Sequence, residues 1–456
     1  MRCHDFDSGN VWRLVLALSI PTCLSQAVNV LYAIVDRMFI GNMDAVGDIA
    51  LAGVGVAVPI TSLLSSFAVL IGMGGSPLMA MREGHGEHEE AVRILSTGFS
   101  CLLVLSAVLT PLFLIVKTPL LLLFGSSPTT LPYADEYLTW YLLGTPFALV
   151  GSGMNSFVIN QGMSRRAMVS VMTGALVNVM LDPLFIYVLD MGVRGAAVAT
   201  VASQAASCAI TLTALLSDKA TIRLVPAAPR AYIVRRMVRL GLSPFIIIAT
   251  DSIIMIALNA ILQHYGGQTM GDTLVGASTI IQSFHLLVMN PLGGITAGSQ
   301  GLLSYSYGAG NVARVRRTWA CVQVLATIYT ALMMALAWNF SAPFISLFTQ
   351  DGQVARVSMH YLRVFTAAII PLSFQYNTVD TFTALGWSQV SLPLSLLRKA
   401  VFTLALFIIP ALTGSGGSAF FAEPVADLTA AVISTTTLAI MLPRVLRMRA
   451  EGRLSI

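Results

Sequence analysis

The stretch Asn178-Val179-Met180-Leu181-Asp182-Pro183 places a carboxylic acid in the middle of an otherwise apolar segment that runs from Ala167 to Leu189. As a helix, this segment is long enough to cross the roughly 30 Å hydrocarbon core of a bilayer. A carboxylate facing lipid there would be costly, so such acids face the interior of a helix bundle and mark pathways for ions or solutes. Asp182 is therefore the first candidate functional residue.

The remaining sequence also has the composition of a membrane protein. Of its 456 residues, 56% are hydrophobic and 10% are charged, whereas soluble domains carry about 25% charged residues. Long uncharged windows predict an all-α polytopic membrane protein with twelve spans. The predicted spans are 12–40, 50–80, 92–117, 133–160, 166–189, 195–217, 237–264, 273–304, 317–348, 358–385, 391–412 and 419–443.

The net charge of +5 is explained by membrane topology. If both termini are cytoplasmic, all but five of the 26 Lys and Arg residues lie on the cytoplasmic side, with Arg398 and Lys399 counted among them. This is the distribution that the positive-inside rule describes, so no nucleic-acid partner is predicted. The five outside are Arg37, Lys117, Arg194, Arg356 and Arg363.

The sequence also contains an internal repeat. Gly84 and Gly86 match Gly308 and Gly310 at an offset of 224 residues, and Gly162 matches Gly386 at the same offset. Two copies of six spans each would be parallel repeats, with the solute path between them. The predicted units are an N-terminal six-helix lobe at 1–217, a basic cytoplasmic linker at 218–236 and a C-terminal six-helix lobe at 237–456.

Several polar residues of the N-terminal lobe are predicted at one membrane depth. At about 1.5 Å per residue, Asp36, Asp182 and Thr200 each lie roughly 6–10 Å from the outer ends of their spans. Asn178 shares a helix face with Asp182 because the two are four residues apart. We expect these four residues to line one polar pocket, to which Asn155 of the fourth span could add an amide.

Two carboxylates with neutral oxygens suit either of two coupling ions. Sodium is a hard cation that takes carboxylate, amide and hydroxyl oxygens, and Asp36, Asn178 and Asp182 could hold it. A proton could instead be shared between two acids that do not both ionise cheaply at close range. A purely structural hydrogen-bonded pair is the simpler alternative.

The C-terminal lobe has less distinctive candidates. Asp251 and Gln282 are predicted to line a solute cavity or to pair with each other, and Met255 and Met289 to form its adaptable apolar wall. Asp380 is predicted to be solvated near the cytoplasmic end of its span. His85 and His88 lie among glutamates in a short loop, where a solvated turn is favoured over a metal site.

The motifs resemble one known family. Val35-Asp36-Arg37-Met38-Phe39-Ile40-Gly41, Gly174 to Ile186 and Gly192 to Thr200 are similar to the multidrug and toxic compound extrusion (MATE) family, in its prokaryotic branch with an acidic pair on helices one and five. The resemblance covers nearly the full length. Ile159 departs from the pattern, because relatives commonly have Arg there.

The resemblance implies a secondary antiporter rather than an enzyme. Such a protein exports small organic compounds, often cationic or amphipathic, in exchange for H⁺ or Na⁺ by rocking alternating access, and needs no cofactor. The family's cation-site positions in the N-terminal lobe are matched by Asp36, Asn178, Asp182 and Thr200, and less closely by Asn155. The expected setting is the inner membrane of a prokaryote, with both termini cytoplasmic and a functional monomer in the lipid bilayer.

Other classes of function remain as alternatives. A flippase for lipid-linked saccharides would be expected to have an Arg-rich cavity and often extra spans. An intramembrane enzyme would need a nucleophile–base pair or a histidine-rich metal motif within the spans. A non-transporting receptor or scaffold would show no substrate-dependent ion flux.

Overall fold

The computed structural model describes residues 6, 9–41, 43, 47–124, 126, 128–218, 220–225, 228–348 and 352–450, and within the helices it omits several side chains, including those of Arg37 and Met255. The described chain is almost entirely helical, as the hydropathy pattern predicts. The N-terminal lobe consists of α1 (Val11–Gly41), α2 (Gly47–Gly84), α3 (His88–Leu123), α4 (Leu131–Leu143), α5 (Thr145–Asn160), α6 (Ser164–Pro183) and α7 (Gly192–Leu216).

The C-terminal lobe begins with a long helix, α8 (Ala231–Gly308), which reverses direction at Gly267. Gly267 has φ of 62°, a left-handed conformation that glycine adopts without a steric penalty. The predicted seventh and eighth spans are therefore two arms of one nearly continuous helical segment. The other helices are α9 (Val312–Asn339), α10 (Ser341–Ile345), α11 (Gly352–Phe365), α12 (Ile369–Ala384), α13 (Ser388–Thr413) and α14 (Ala422–Ala450).

The helices account for the twelve predicted spans. In the described part of the chain, nine single helices are long and apolar enough to cross a membrane, and two bent pairs bring the number to eleven. The first arm of α8, residues 231–266, is long enough to be the twelfth. The bent pairs are α4 with α5, at 59°, and α11 with α12, at 50°, so the predicted fourth and tenth spans each consist of two helices.

The repeated glycines adopt the same backbone conformation in both halves. Gly86 and Gly310 have φ of 86° and 73°, and Gly162 and Gly386 have φ of 83° and 80°. Each of these glycines lies in the turn between two helices. All four turns are on the face of the bundle where α1 begins and where α7 is connected to α8. We call this the linker face, and the other side of the bundle the opposite face.

The two lobes approach closely at the linker face, where α2 crosses the second arm of α8. A Cβ atom added to Gly84 would lie 2.1 Å from the carbonyl oxygen of Tyr305, and one added to Gly308 would lie 2.0 Å from that of Met81. Only a residue without a side chain allows backbones to come this close. The crossing is nearly symmetric, because each glycine packs on the residue three positions before the other.

Further contacts tie α1 to the second arm of α8. The Thr22 hydroxyl donates to the Gly294 carbonyl at 2.6 Å, and the Ser19 hydroxyl donates to the Ile295 carbonyl at 2.8 Å. Closer to the bilayer centre, α2 and the first arm of α8 meet through the rings of Phe67 and Phe245, 5.1 Å apart. The lobes are thus locked together from the linker face to about the middle of the bundle.

Candidate functional site

The two acids predicted from the sequence meet inside the N-terminal lobe. Asp182 is fully buried, and its carboxyl lies close to that of Asp36 on α1. The Asn178 amide donates to Asp182 Oδ1 at 3.2 Å, as their four-residue spacing predicts. Two carboxyls can share a hydrogen bond only if one carries a proton, so the pair suits uptake of a single cation.

The helix carrying Asp182 changes geometry directly after it. Pro183 has no backbone N–H, so the regular hydrogen-bond pattern of α6 is interrupted there, and the chain continues as one wide π-helical turn from Leu184 to Val188. Such turns occur frequently at functional sites. Tyr187 in this turn donates its hydroxyl to the Phe39 carbonyl at 2.6 Å, and the two rings meet edge to face. The end of α1 is thereby held against the helix that carries Asp182.

Thr200 enters the site through a tyrosine. It lies near Tyr137 of α4, which interacts electrostatically with Asp36. Tyr32 of α1 interacts electrostatically with both acids, and Tyr141 lies near Gln204 and Ser65. Sequence reasoning missed these tyrosines, although Tyr32 lies four residues before Asp36 and therefore on the same helix face.

The N-terminal lobe also contains buried oxygen atoms suited to a hard cation. Among the described residues, the buried amide oxygens of Asn178, Asn155 and Gln204 have no hydrogen-bond donor. Asn155 is half-buried on α5, and no hydrogen bond to the acid pair is described for it. Asp36, Asn178 and Asp182 are therefore brought together directly and Thr200 through Tyr137, whereas the role of Asn155 stays a prediction.

The C-terminal lobe contains a charged network that differs from the prediction. Arg398 Nε donates to Asp427 at 2.8 Å, and the same guanidinium pairs with Glu423. His285 Nε2 lies 3.5 Å from Glu423. Assigning Arg398 to the cytoplasmic side was wrong, because it lies ten residues inside α13 and is buried with its two acids.

The remaining C-lobe predictions have mixed outcomes. Lys399 is likewise inside α13 rather than cytoplasmic, and it pairs with Asp251, which does not pair with Gln282 in this structure. Asp380 is half-buried four residues before the end of α12 at Ala384, with Thr296 and Gln300 nearby. Gln282 and Met289 are half-buried on α8, and the Met255 side chain lies outside the described set.

The loop with histidines is a network of ion pairs. His88 Nδ1 lies 2.8 Å from Glu83, whose side chain is nearly buried, and Arg82 pairs with Glu87. No group of three His, Cys, Asp or Glu side chains able to hold a metal ion occurs in the part of the chain that the structure describes.

Taken together, the fold and the site define a two-lobe helical membrane protein with a buried pair of acids in one lobe. The MatE family model matches residues 21–184 and 247–409, and the chain therefore belongs to the MATE family, whose members are transporters and not enzymes. The sequence resemblance is confirmed.

Curated relatives and solved structures agree with this assignment. The chain is 22% identical over 414 residues to the multidrug export protein MepA of Staphylococcus haemolyticus, covering 90% of both proteins. It is 21% identical over 435 residues to MepA of Staphylococcus aureus, covering 94% of this chain and 95% of that protein.

The fold is shared with solved MATE structures. A multidrug resistance MATE family transporter described in an outward-facing conformation has a TM-score of 0.90, with 22% identity over 97% of this chain and 98% of that one. A MATE structure described in a bent conformation has a TM-score of 0.89, with 22% identity and 99% coverage of both chains.

Proposed function

We propose that this protein is a secondary antiporter that exports small organic compounds in exchange for inward movement of H⁺ or Na⁺. The observation that carries this proposal is the Asp36–Asp182 pair, fully buried at Asp182 and surrounded by amide and hydroxyl groups. Acids inside a membrane are costly unless they serve an ion or solute pathway. The export of multiple drugs, named for the MepA relatives, supports the choice of substrate class.

The packing of the lobes supports alternating access. Backbone crossings at Gly84 and Gly308 close the linker face, whereas the acid pair lies in the half of the N-terminal lobe toward the opposite face. We infer that an incoming cation reaches the acids from the opposite face. Its binding would favour the state with lower affinity for the exported compound, and the effect must be reciprocal.

The ion gradient supplies the free energy in this proposal. One charge moving across 100 mV contributes about 2.3 kcal/mol, which is equivalent to nearly a fifty-fold solute gradient. The excess of basic residues in the linker-face loops supports a cytoplasmic location for this face and for both termini, in the inner membrane of a prokaryote. We infer a functional monomer, since each chain carries both lobes.

The proposal is tested by transport of a fluorescent organic cation in proteoliposomes. A pH gradient and a sodium gradient are imposed separately, and the coupling ion is the one whose gradient drives transport. Asp36→Asn should abolish gradient-driven transport, because the amide neither binds a proton nor contributes charge to a sodium site.

Asp190→Asn is the matched control. Asp190 is exposed, lies eight residues after Asp182 and has φ of 50°, a left-handed conformation that asparagine also adopts. A response to neither gradient, or full activity in Asp36→Asn, would overturn the antiport proposal. The alternatives of a saccharide flippase and a non-transporting scaffold predict no such ion dependence.

A further inference from the structure

We propose that the Lys399–Asp251 ion pair is a subsite for zwitterionic solutes, in which a solute carboxylate pairs with Lys399 and a solute ammonium group pairs with Asp251. This inference rests on the proposed export function and specifies the chemistry of the exported compound. It concerns the C-terminal lobe, whereas the coupling ion is assigned to the N-terminal lobe.

The pair lies deep in the membrane on two helices that pack together. Asp251 lies fifteen residues before Gly266, the last residue of the first arm of α8. Lys399 lies fourteen residues before Thr413, the last residue of α13. At about 1.5 Å per residue, both lie roughly 21–23 Å from the opposite face. The two residues therefore lie at the same depth, near the middle of the bilayer, as an ion pair between neighbouring helices requires.

The pair is open, unlike its immediate neighbour. The Asp251 side chain is 50% exposed and that of Lys399 is 17% exposed, whereas Arg398, one residue away, is 9% exposed and its partner Asp427 is fully buried. Arg398 therefore acts as a structural tie between α13 and α14. A half-exposed carboxylate at this depth does not face lipid, so Asp251 borders a water-filled space.

We assign that space to the region between the lobes. Asp251 lies on the arm of α8 that packs against α2, six residues beyond Phe245, where the rings of Phe67 and Phe245 meet. It is therefore about 9 Å farther toward the opposite face than this contact between the lobes. Ile254, one helical turn on, is partly buried and supplies an apolar surface beside the charge.

The charges around the pair leave Lys399 available to a solute anion. Behind the pair lie His285, the Glu423–Arg398–Asp427 network and Tyr376. Arg398 is occupied by the two acids of α14, and no acid other than Asp251 is described in an ion pair with Lys399. A solute carboxylate that displaces Asp251 is therefore the natural new partner of Lys399.

Pairing energetics favour a zwitterion over a monocation. A monocation that binds Asp251 releases Lys399, whose side chain is 17% exposed, and leaves its positive charge without a partner, which is unfavourable. A zwitterion replaces both halves of the broken pair, so no charge is left alone. The subsite therefore discriminates by the presence of a carboxylate on the solute.

The test uses purified full-length protein in proteoliposomes and two dyes. One is a xanthene dye with an amine and a free carboxylate, and the other is its methyl ester, which is a monocation. The wild-type protein should transport the carboxylate dye with a kcat/KM at least about tenfold higher than that of the ester, given the cost of an unpaired charge. Lys399→Met should reverse this preference, because Asp251 is then free for the monocation.

The matched control is Lys117→Met in the N-terminal lobe. Lys117 is also 17% exposed and pairs with an aspartate, Asp135, at 2.5 Å, so it reproduces the loss of an ion pair away from the cavity. It should leave the dye preference unchanged. If Lys399→Met does not fold, Lys399→Met with Asp251→Asn removes both charges and should give equal transport of the two dyes.

The outcomes separate the inference from the proposed function. Gradient-driven transport in which Lys399→Met lowers both dyes equally, or a wild-type protein that does not distinguish them, would overturn the zwitterion subsite alone. Transport of neither dye under any gradient, with the protein folded, would reject the export proposal and the subsite with it.

Discussion

The two lobes share one fold, but the acids inside them have different kinds of partner. In the N-terminal lobe, the described partners of Asp182 are an amide and a second acid. In the C-terminal lobe, Asp427 and Asp251 are each paired with a base. An acid beside an acid can respond to a cation, whereas an acid held by an arginine is already neutralised. In our proposal, the N-terminal lobe therefore carries ion coupling, and the C-terminal lobe carries structural and solute-binding charge.

The repeat shows where this difference arose in the sequence. An offset of 224 residues from Asn178 and Asp182 leads to Phe402 and Leu406, which are buried in the apolar core of the C-terminal lobe. The helix that carries the acid site in one lobe is thus a packing helix at the same positions in the other. The charged residues of this helix are instead Arg398 and Lys399, which lie about one turn before Phe402, toward the linker face.

Replacing Asp182 should have the largest effect on transport. In Asp182→Asn, the amide keeps the size of the side chain and its contact with Asn178, but it cannot take up a proton or provide charge for sodium. Gradient-driven accumulation should fall to the level of empty liposomes, while exchange of labelled for unlabelled solute persists. Accumulation at the wild-type rate would remove the N-terminal lobe from the coupling mechanism.

Breaking the arginine network should instead affect stability. Arg398→Met leaves Glu423 and Asp427 buried without their base, which costs about 3–5 kcal/mol when one partner of a buried pair is removed. Thermal unfolding in detergent should show a clearly lower midpoint. Adding Glu423→Gln and Asp427→Asn removes the unpaired charges and should restore most of the loss. A single variant as stable as wild type would show that the network contributes nothing to the fold.

A methyl group at the lobe crossing should shift the conformational equilibrium. In Gly84→Ala, the new Cβ would lie 2.1 Å from the Tyr305 carbonyl oxygen, so α2 and α8 must separate at the linker face. Distances between spin labels on the two helices at this face should become longer. Gly293→Ala, on the partner helix α8, is the control. A Cβ atom added to Gly293 would meet no atom within 4 Å. Unchanged distances in Gly84→Ala would contradict a closed linker face.

Much of the fold followed from local physical constraints that a sequence carries. Long apolar windows predicted the twelve helices, and the repeated glycines predicted the paired hairpins that Gly86 and Gly310 form. Pro146 and Pro371 inside the fourth and tenth spans indicate possible bends there, but the angles of 59° and 50° do not follow from the hydropathy pattern. Hydropathy averages over a window and does not register a change of helix direction.

The candidate site was predictable where residues share a helix and less so across helices. The contact of Asn178 with Asp182 follows from their spacing, and the meeting of Asp182 with Asp36 followed from counting depth. Arg398 was misassigned because a charge near a predicted helix end is ordinarily cytoplasmic. Its acids are 25 and 29 residues away on α14, and only the packing of α13 against α14 brings them together.

The smallest expected effect concerns the hydrogen bond from Tyr187 to Phe39, which holds the end of α1 against the helix that carries Asp182. Tyr187→Phe keeps the ring contact with Phe39 but removes the hydroxyl that donates to the Phe39 carbonyl at 2.6 Å. A single hydrogen bond of this kind contributes about 1 kcal/mol, so the concentration of coupling ion for half-maximal transport should rise about fivefold with little change in maximal rate. Tyr133→Phe, a partly buried tyrosine of the same lobe, should leave this concentration unchanged. If Tyr187→Phe instead lowers the maximal rate alone, the tyrosine acts on the motion of α1 and not on the alignment of Asp36 with Asp182.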